Sequence, residues 1–257
     1  MSCKTRTPCF ARVMVDLAVI LTGLPAALAG AGGYEELEVA DGGSIVGTAR
    51  FVGTLGPPAK LLVGTDPETC GTEDRFSRAL LVDESGGVQN AVINLREIPS
   101  GRPWPEKEYH LRQADCRFDP HILLIPEGED LHITNTDRVL HIVRSHSKDS
   151  VFNVGQPRFV EQMLVENFAR QISEPKAVRL ICDIHGWMEA YAIIQRHPYY
   201  AVTGHDGSFR LDDVPAGSYI LEFWHEALGE ASKEVTVLPN TETAVEFERA
   251  LPQSPDG

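Results

Sequence analysis

The sequence predicts an all-β protein made of two β-sandwiches, the second small and C-terminal. Most of its apolar runs are of strand length and stop at Gly, Pro, Asp or Asn, the punctuation of a sandwich. The composition agrees, since 22 Gly and 17 Pro with only 7% aromatic residues suit many turns better than long helices. Past Pro198 the runs draw closer together and the turns tighten, which marks a second module. A chain of 257 residues holds one large or two ordinary domains, and 42% hydrophobic residues suffice for a real core.

The N-terminus is an address. Lys4, Arg6 and Arg12 precede an apolar run from Val13 to Ala29 that ends in Ala27-Leu28-Ala29, a small-x-small cleavage pattern. Asp16 and Pro25 interrupt the run, which makes it poor for spanning ~30 Å of hydrocarbon. Residues 1–29 are therefore expected to be a signal peptide, and the protein to be periplasmic or secreted with no stable membrane span. Removing them takes away three basic residues and one acid, leaving 20 basic against 36 acidic groups, net −16 where the whole chain has −14. That balance argues against a nucleic-acid groove and against an anionic membrane surface. It also removes Cys3 and Cys9, so Cys70, Cys116 and Cys182 remain, an odd number for an exported protein.

Residues 44–197 form the expected first domain. Ser44–Val52 alternates and breaks at Gly53 and Gly56-Pro57-Pro58. Further strand candidates are Ala79–Val82, Asn90–Leu95, His121–Ile125, Asp130–Asn135, Leu140–Arg144, Phe168–Ile172, Ala177–Cys182 and Glu189–Gln195. Arg96–Arg117 reads as a long charged surface connection, and a short helix is placed at Glu106–Arg112 or Glu161–Asn167. Residues 198–250 follow as the second module, with runs at Tyr199–Thr203, Phe209–Leu211, Ser218–Trp224, Lys233–Leu238 and Thr243–Phe247, and 251–257 as a tail. Asp206-Gly207 between two alternating runs is a hairpin signal. Some fifty residues make a small core, so this module either packs on the first domain or borrows strands from 44–97. The second option would insert the first domain into the module; consecutive domains are the working division.

The chemistry concentrates in His141 and Cys182-Asp-Ile-His185-Gly-Trp-Met188. The Cys, second His and Met follow at steps of three in one loop behind the apolar strand Val178–Ile181, with His141 arriving 41 residues upstream of Cys182. A thiolate, two imidazoles and a weak thioether form the donor set of electron-transfer copper sites. The loop resembles the short Cys-x-x-His-x-x-Met loop of amicyanin-like cupredoxins. Pro126-Glu-Gly128 and Ile133-Thr-Asn135-Thr-Asp137 before Leu140-His141 look like the turn and strand that deliver their first His. Over about 115–197 the resemblance implies a cupredoxin-like Greek-key β-sandwich holding one copper ion, with His141, Cys182 and His185 equatorial and Met188 axial. Two positions depart from it: Ile142 and Arg144 stand where relatives often carry Asn and His, so the surroundings of the thiolate differ. The stretch Asp206-Gly-Ser-Phe209 through Val214-Pro-Ala-Gly217 resembles a carboxypeptidase-regulatory β-sandwich, and the pairing resembles periplasmic cupredoxin proteins with that module.

Blander readings compete at each position. A lone buried Cys is commonly a small hydrophobe, a cupredoxin fold can be empty, and zinc can use His₂Cys although it would prefer another strong ligand to a thioether. Cys70 and Cys116 are the candidate structural disulfide, whose long loop would contribute about 3–4 kcal/mol and keep Cys182 from being consumed; free thiols are the alternative. His121, His132 and His146 read as surface or hydrogen-bonded residues, with His146 able to replace His141 if the register slips. His225-Glu226 invites an acid–base reading, but without a nucleophile it is assigned to a solvated strand edge. Trp187 is a candidate for lining the site, for an electron-exit surface or for the core. Two functions remain. One is an electron carrier, not an enzyme, passing electrons from His185 at an exposed apolar edge to a basic partner such as a c-type cytochrome or periplasmic dehydrogenase. The other is a module that binds and delivers copper or only docks.

Overall fold

Alternating burial writes both sandwiches. The structure, a computed structural model, describes residues 33–146, 152–171 and 177–252, so the signal-peptide expectation for 1–29 lies outside the described residues, as do 253–257 of the tail. Within it, residues 109–195 build the first sandwich. Its five-stranded sheet runs Asn153–Gln156, His141–His146, Ala177–Cys182, Glu189–Gln195 and Ile122–Pro126, antiparallel except for the last pair. The facing sheet runs Gln162–Val165, Leu131–Asn135, Tyr109–Ala114 and Arg117–Asp119, with its central pair parallel. Leu131, Ile133, Tyr109 and Leu111 point inward at every second residue and meet Val143, Val178, Leu180 and Ala190 in one core.

The second sandwich is assembled from both ends of the chain. Its four-stranded sheet is ordered Tyr200–Val202, Val92–Leu95, Gly217–His225 and Gly229–Val237. Its three-stranded sheet is Ser208–Val214, Gly43–Phe51 and Glu242–Arg249, with Gly43–Phe51 in the middle. Ile45, Ile93, Leu95, Leu221, Phe223 and Phe247 share its core. The division into 44–197 and 198–250 therefore does not describe these sheets. Gly43–Phe51 and Val92–Leu95 pair only with strands of the C-terminal segment, and the first sandwich is inserted between Leu95 and Tyr200. The physical reason is core size, because the C-terminal strands alone would leave each of these sheets without an interior strand. Gly47 shows how closely they pack: a Cβ there would stand 1.8 Å from the Val245 carbonyl oxygen across the parallel pair.

Several local expectations change. Tyr109–Ala114, Arg117–Asp119 and Gln162–Val165 are strands where a helix or a long connection was expected, because their buried residues recur with period two. Phe168 and Ala169 are both buried, which a strand facing one core cannot do, and Phe168–Gln171 is a 3₁₀ turn. Ala79–Val82 forms no strand, only a bridge from Val82 to Val88. The short helix is Pro67–Cys70. Asp206-Gly207 turns the chain from one sheet of the second sandwich to the other, and Gly207 (φ 76°) lies against the Ala49 carbonyl. Among the described residues no helix is long and apolar enough to cross a membrane.

The two sandwiches meet through a small apolar cluster of Val92, Ile122 and Ile193, joined by Tyr191, Tyr200 and Trp224. Beside it His121, at the start of Ile122–Pro126, pairs with Glu226, in the turn after His225, and both side chains are buried. Glu226 is thus no solvated edge. Burial and the neighbouring Glu189 push its carboxyl above the ordinary range, while Glu189 is held by Arg179 and by the Tyr191 hydroxyl, which donates at 2.8 Å. Removing one member of a buried pair strands the other. Glu226→Ala is expected to lose about 3–5 kcal/mol in urea unfolding, whereas Glu84→Ala, in an exposed turn, should change little; equal effects would mean the pair does not hold the junction.

Candidate metal centre

Two adjacent strands and one tight loop bring the donors together. In the antiparallel pair Val143 stands opposite Cys182, so His141 lies two residues away on the same inner face. After Cys182 the chain turns at once: the Met188 N–H donates to the His185 carbonyl at 2.8 Å and the Cys182 N–H to the Met188 carbonyl at 3.2 Å. This closure folds His185 back over Cys182 and buries Met188 in the core that also holds Cys182. The His141 and His185 Nδ1 atoms face each other at 3.0 Å, and His185 Nδ1 is 3.6 Å from Cys182 Sγ. One ring nitrogen of each histidine and the sulfur lie within 4.8 Å of one another, all three residues buried.

The outer atoms are held as firmly. Asp137 Oδ2 is 2.8 Å from His141 Nε2, and Asp66 Oδ2 is 3.0 Å from His185 Nε2. Each carboxylate holds its ring by the outer nitrogen and turns Nδ1 inward, the usual companion of a metal-binding histidine. Asp137 is itself placed by the backbone N–H groups of Asp115 and Cys116, and its own N–H donates to Asn135 Oδ1. Asn135 in turn donates to the Val139 and Gln156 carbonyls, so the turn carrying His141 is anchored at both ends. The Ile142 N–H points at Cys182 Sγ from 3.4 Å.

Charge follows from these contacts. Burial would raise the Cys182 thiol, but hydrogen bonding from His141 and from the Ile142 N–H overrides it and lowers it to about 6. Burial would lower His141, yet the Asp137 hydrogen bond and the Cys182 sulfur raise it to about 9. Asp137, despite burial, is pulled below the usual carboxylate range by His141 and the Cys116 N–H. Without a metal the site is therefore a thiolate–imidazolium pair over the pH range between those two values. A soft anion and two inward imidazole nitrogens in one buried pocket fit a soft or borderline cation, copper before zinc.

The expected residues divide accordingly. His141, Cys182 and His185 converge, Met188 is buried at the base of their loop, and Cys70 and Cys116 form a disulfide. His146 is exposed at the far end of the His141 strand, and His132 stacks on His110. His185 is not at an exposed edge. It is 0% exposed, covered by Asp66 and by Trp187, whose ring centroid lies 5.1 Å away. Trp187 is half-buried, donates to the Cys116 carbonyl at 3.1 Å, and with Met188 lines a cavity of about 220 Å³. Asp66 and Asp137 escaped sequence reasoning. Asp137 stood inside the quoted turn, whereas only the Asp-Pro four residues before Cys70 could have pointed to Asp66.

In a Cys3→Ser/Cys9→Ser chain Cys182 is the free thiol left by the disulfide. Its ultraviolet thiolate band, measured on metal-free protein, is expected to rise as pH increases through about 6. Asp137→Asn should move that rise to higher pH, since it removes the carboxylate that supports the His141 charge. A rise near the ordinary thiol value in both proteins would show that the pair does not form.

Neither a protein-family model nor a curated protein matches the chain. Solved structures do. A purple cupredoxin from Nitrosopumilus maritimus is similar over 34% of this chain and 100% of its own, at 17% identity and a TM-score of 0.28. An amicyanin from Paracoccus versutus is similar over 40% and 97%, at 13% identity and a TM-score of 0.27. For a copper-containing nitrite reductase from Thermus scotoductus SA-01 the shares are 39% and 25%, at 15% identity and a TM-score of 0.28. These likenesses are partial, and the case for the site rests on its own geometry.

Proposed function

We propose that the chain is an exported electron carrier, a cupredoxin-type protein that holds one copper ion between His141, Cys182 and His185 with Met188 as the axial thioether. The observation that carries this reading is the convergence of two inward imidazole nitrogens on a thiol already biased towards thiolate in a buried pocket. Copper would supply a one-electron redox change, stabilised by thiolate donation in both states. The chain's own part is to keep the donors in place. Asp137 and Asp66 hold the two rings, the Ile142 N–H tempers the sulfur and backbone hydrogen bonds close the Cys182–Met188 loop, while a donor set of two imidazoles, a thiolate and a thioether would leave no open position for substrate. For that reason we read the protein as a carrier and not as an enzyme.

With His185 covered, Trp187 is the half-exposed ring nearest the site, and we assign it the electron exit. A formal charge of −14 favours steering towards a basic partner, such as a c-type cytochrome or a periplasmic dehydrogenase. The second sandwich, with its resemblance to a carboxypeptidase-regulatory module, is read as a docking element. One observation favours a second reading: a ligand sealed beneath Asp66 suits a protein that keeps copper for delivery.

Reconstitution with Cu(II) is expected to give an intense thiolate-to-copper absorption, bleached reversibly by reductant and absent in Cys182→Ser. Trp187→Leu should keep the colour and slow reduction by a basic cytochrome by about tenfold, the cost of about 1.4 kcal/mol in barrier. A colourless protein that binds Cu(I) tightly would favour delivery. No copper binding at all would remove both readings.

A further inference from the structure

The disulfide lies against the metal centre. Cys70 closes the short helix Pro67–Cys70, one turn after Asp66, while Cys116 sits in the two-residue turn between Tyr109–Ala114 and Arg117–Asp119. Asp115 and Cys116 both have positive φ (52° and 51°), a backbone that favours Asn or Gly and in which a cysteine is costly. The turn is nevertheless held hard. The Cys116 N–H donates to Asp137, its carbonyl accepts from Trp187, and Arg75 binds the Cys70 and Asp115 carbonyls. As a result Cys70 Sγ, Cys116 Sγ and a ring nitrogen of His185 lie within 4.8 Å of one another, all buried. Cys116 Sγ is equally close to Asp137 and to a ring nitrogen of His141. A disulfide that only stapled the chain would have no need to adjoin both histidines.

We propose that the Cys70–Cys116 disulfide masks a second soft-metal site, in which the two thiolates and His185 bind monovalent copper once the bond is reduced. The site shares His185 with the proposed electron-carrier site but does not use Cys182, so in a Cys182→Ser chain it is tested apart from that reading. The chemistry balances with a dithiol reductant. The reductant gives two electrons and two protons, becomes a disulfide itself, and leaves Cys70 and Cys116 as thiols. Copper(I) then displaces both thiol protons and forms two Cu–S bonds, with the His185 nitrogen as third donor; two thiolates and an imidazole suit that ion. Oxidation of the pair withdraws both sulfur ligands at once, so the affinity of the site follows the thiol–disulfide poise of its surroundings.

The test uses the whole chain carrying Cys3→Ser, Cys9→Ser and Cys182→Ser, titrated anaerobically with Cu(I) against a chromogenic chelator. The disulfide is left intact or reduced beforehand by a phosphine that is then removed. Reduction is expected to tighten Cu(I) binding at least about 100-fold, equivalent to about 2.7 kcal/mol. Adding Cys70→Ser or Cys116→Ser should abolish the gain, and adding His185→Ala should remove most of it. Equal affinity of the oxidised and reduced forms overturns the proposal. So does a gain that survives His185→Ala unchanged, because two thiols in an unfolded chain would not sense that ring.

Discussion

A thiol and two imidazoles kept within 4.8 Å of one another, away from water, impose the constraint on which the rest of the first sandwich depends. Left alone, such donors would turn outward. The fold resists by fixing each ring at its far nitrogen, with Asp137 behind His141 and Asp66 behind His185. A carboxylate on the outer nitrogen keeps the inner one turned inward, and the backbone N–H groups of Asp115 and Cys116 keep the Asp137 carboxylate itself in place. The chain of support runs further, through Asn135 to Gln156, whose side-chain amide accepts from Gln113 and donates to the Val160 carbonyl. Buried polar networks of this kind are costly when incomplete, and here they replace packing at one end of an otherwise apolar core.

That arrangement explains why the hydrophobic core and the site share strands. Val143, Leu180 and Ala190 fill the middle of the sandwich, while His141, Cys182 and Met188 continue the same inward faces to its end. Shifting either strand by one residue would turn all of its inward residues to the other face, losing core and site together. The register that buries the core is thus also the register that assembles the donors.

Much of this was legible from the residues. Inward strands such as Leu131–Asn135 and Ala177–Cys182 showed themselves by period two, and the Cys-x-x-His-x-x-Met spacing placed three candidate donors on one loop, whose chain turns back through the Met188–His185 hydrogen bond. His141 and His146 stand at opposite ends of one strand with opposite parity, so only one of them faces inward: His141 is buried and His146 exposed. Asp66 was not legible because its role depends on a segment with no periodic signal being carried across to His185. The same holds for His121–Glu226, where residues 105 apart in sequence meet only once the two sandwiches are in contact. The short helix expected at 106–112 or 161–167 failed because charged residues on a strand's outer face mimic a polar helix surface.

The insertion of one sandwich into the other bears directly on the site. Asp66 and Cys70 belong to the excursion between Gly43–Phe51 and Val92–Leu95, two strands of the second sandwich. The cap over His185 is therefore supplied by the host sandwich and anchored to the guest through Cys116. Had the two folded as consecutive units, with the excursion inside the first, the cap would have followed the Cys182–Met188 loop wherever it moved. As built, the His185 ring is held on one side by its own strand-borne loop and on the other by a segment whose ends are fixed in a different core. A change in how the sandwiches meet at His121 and Glu226 would thus be felt at His185 through the tethered segment, and the position of that ring becomes a property of both sandwiches together.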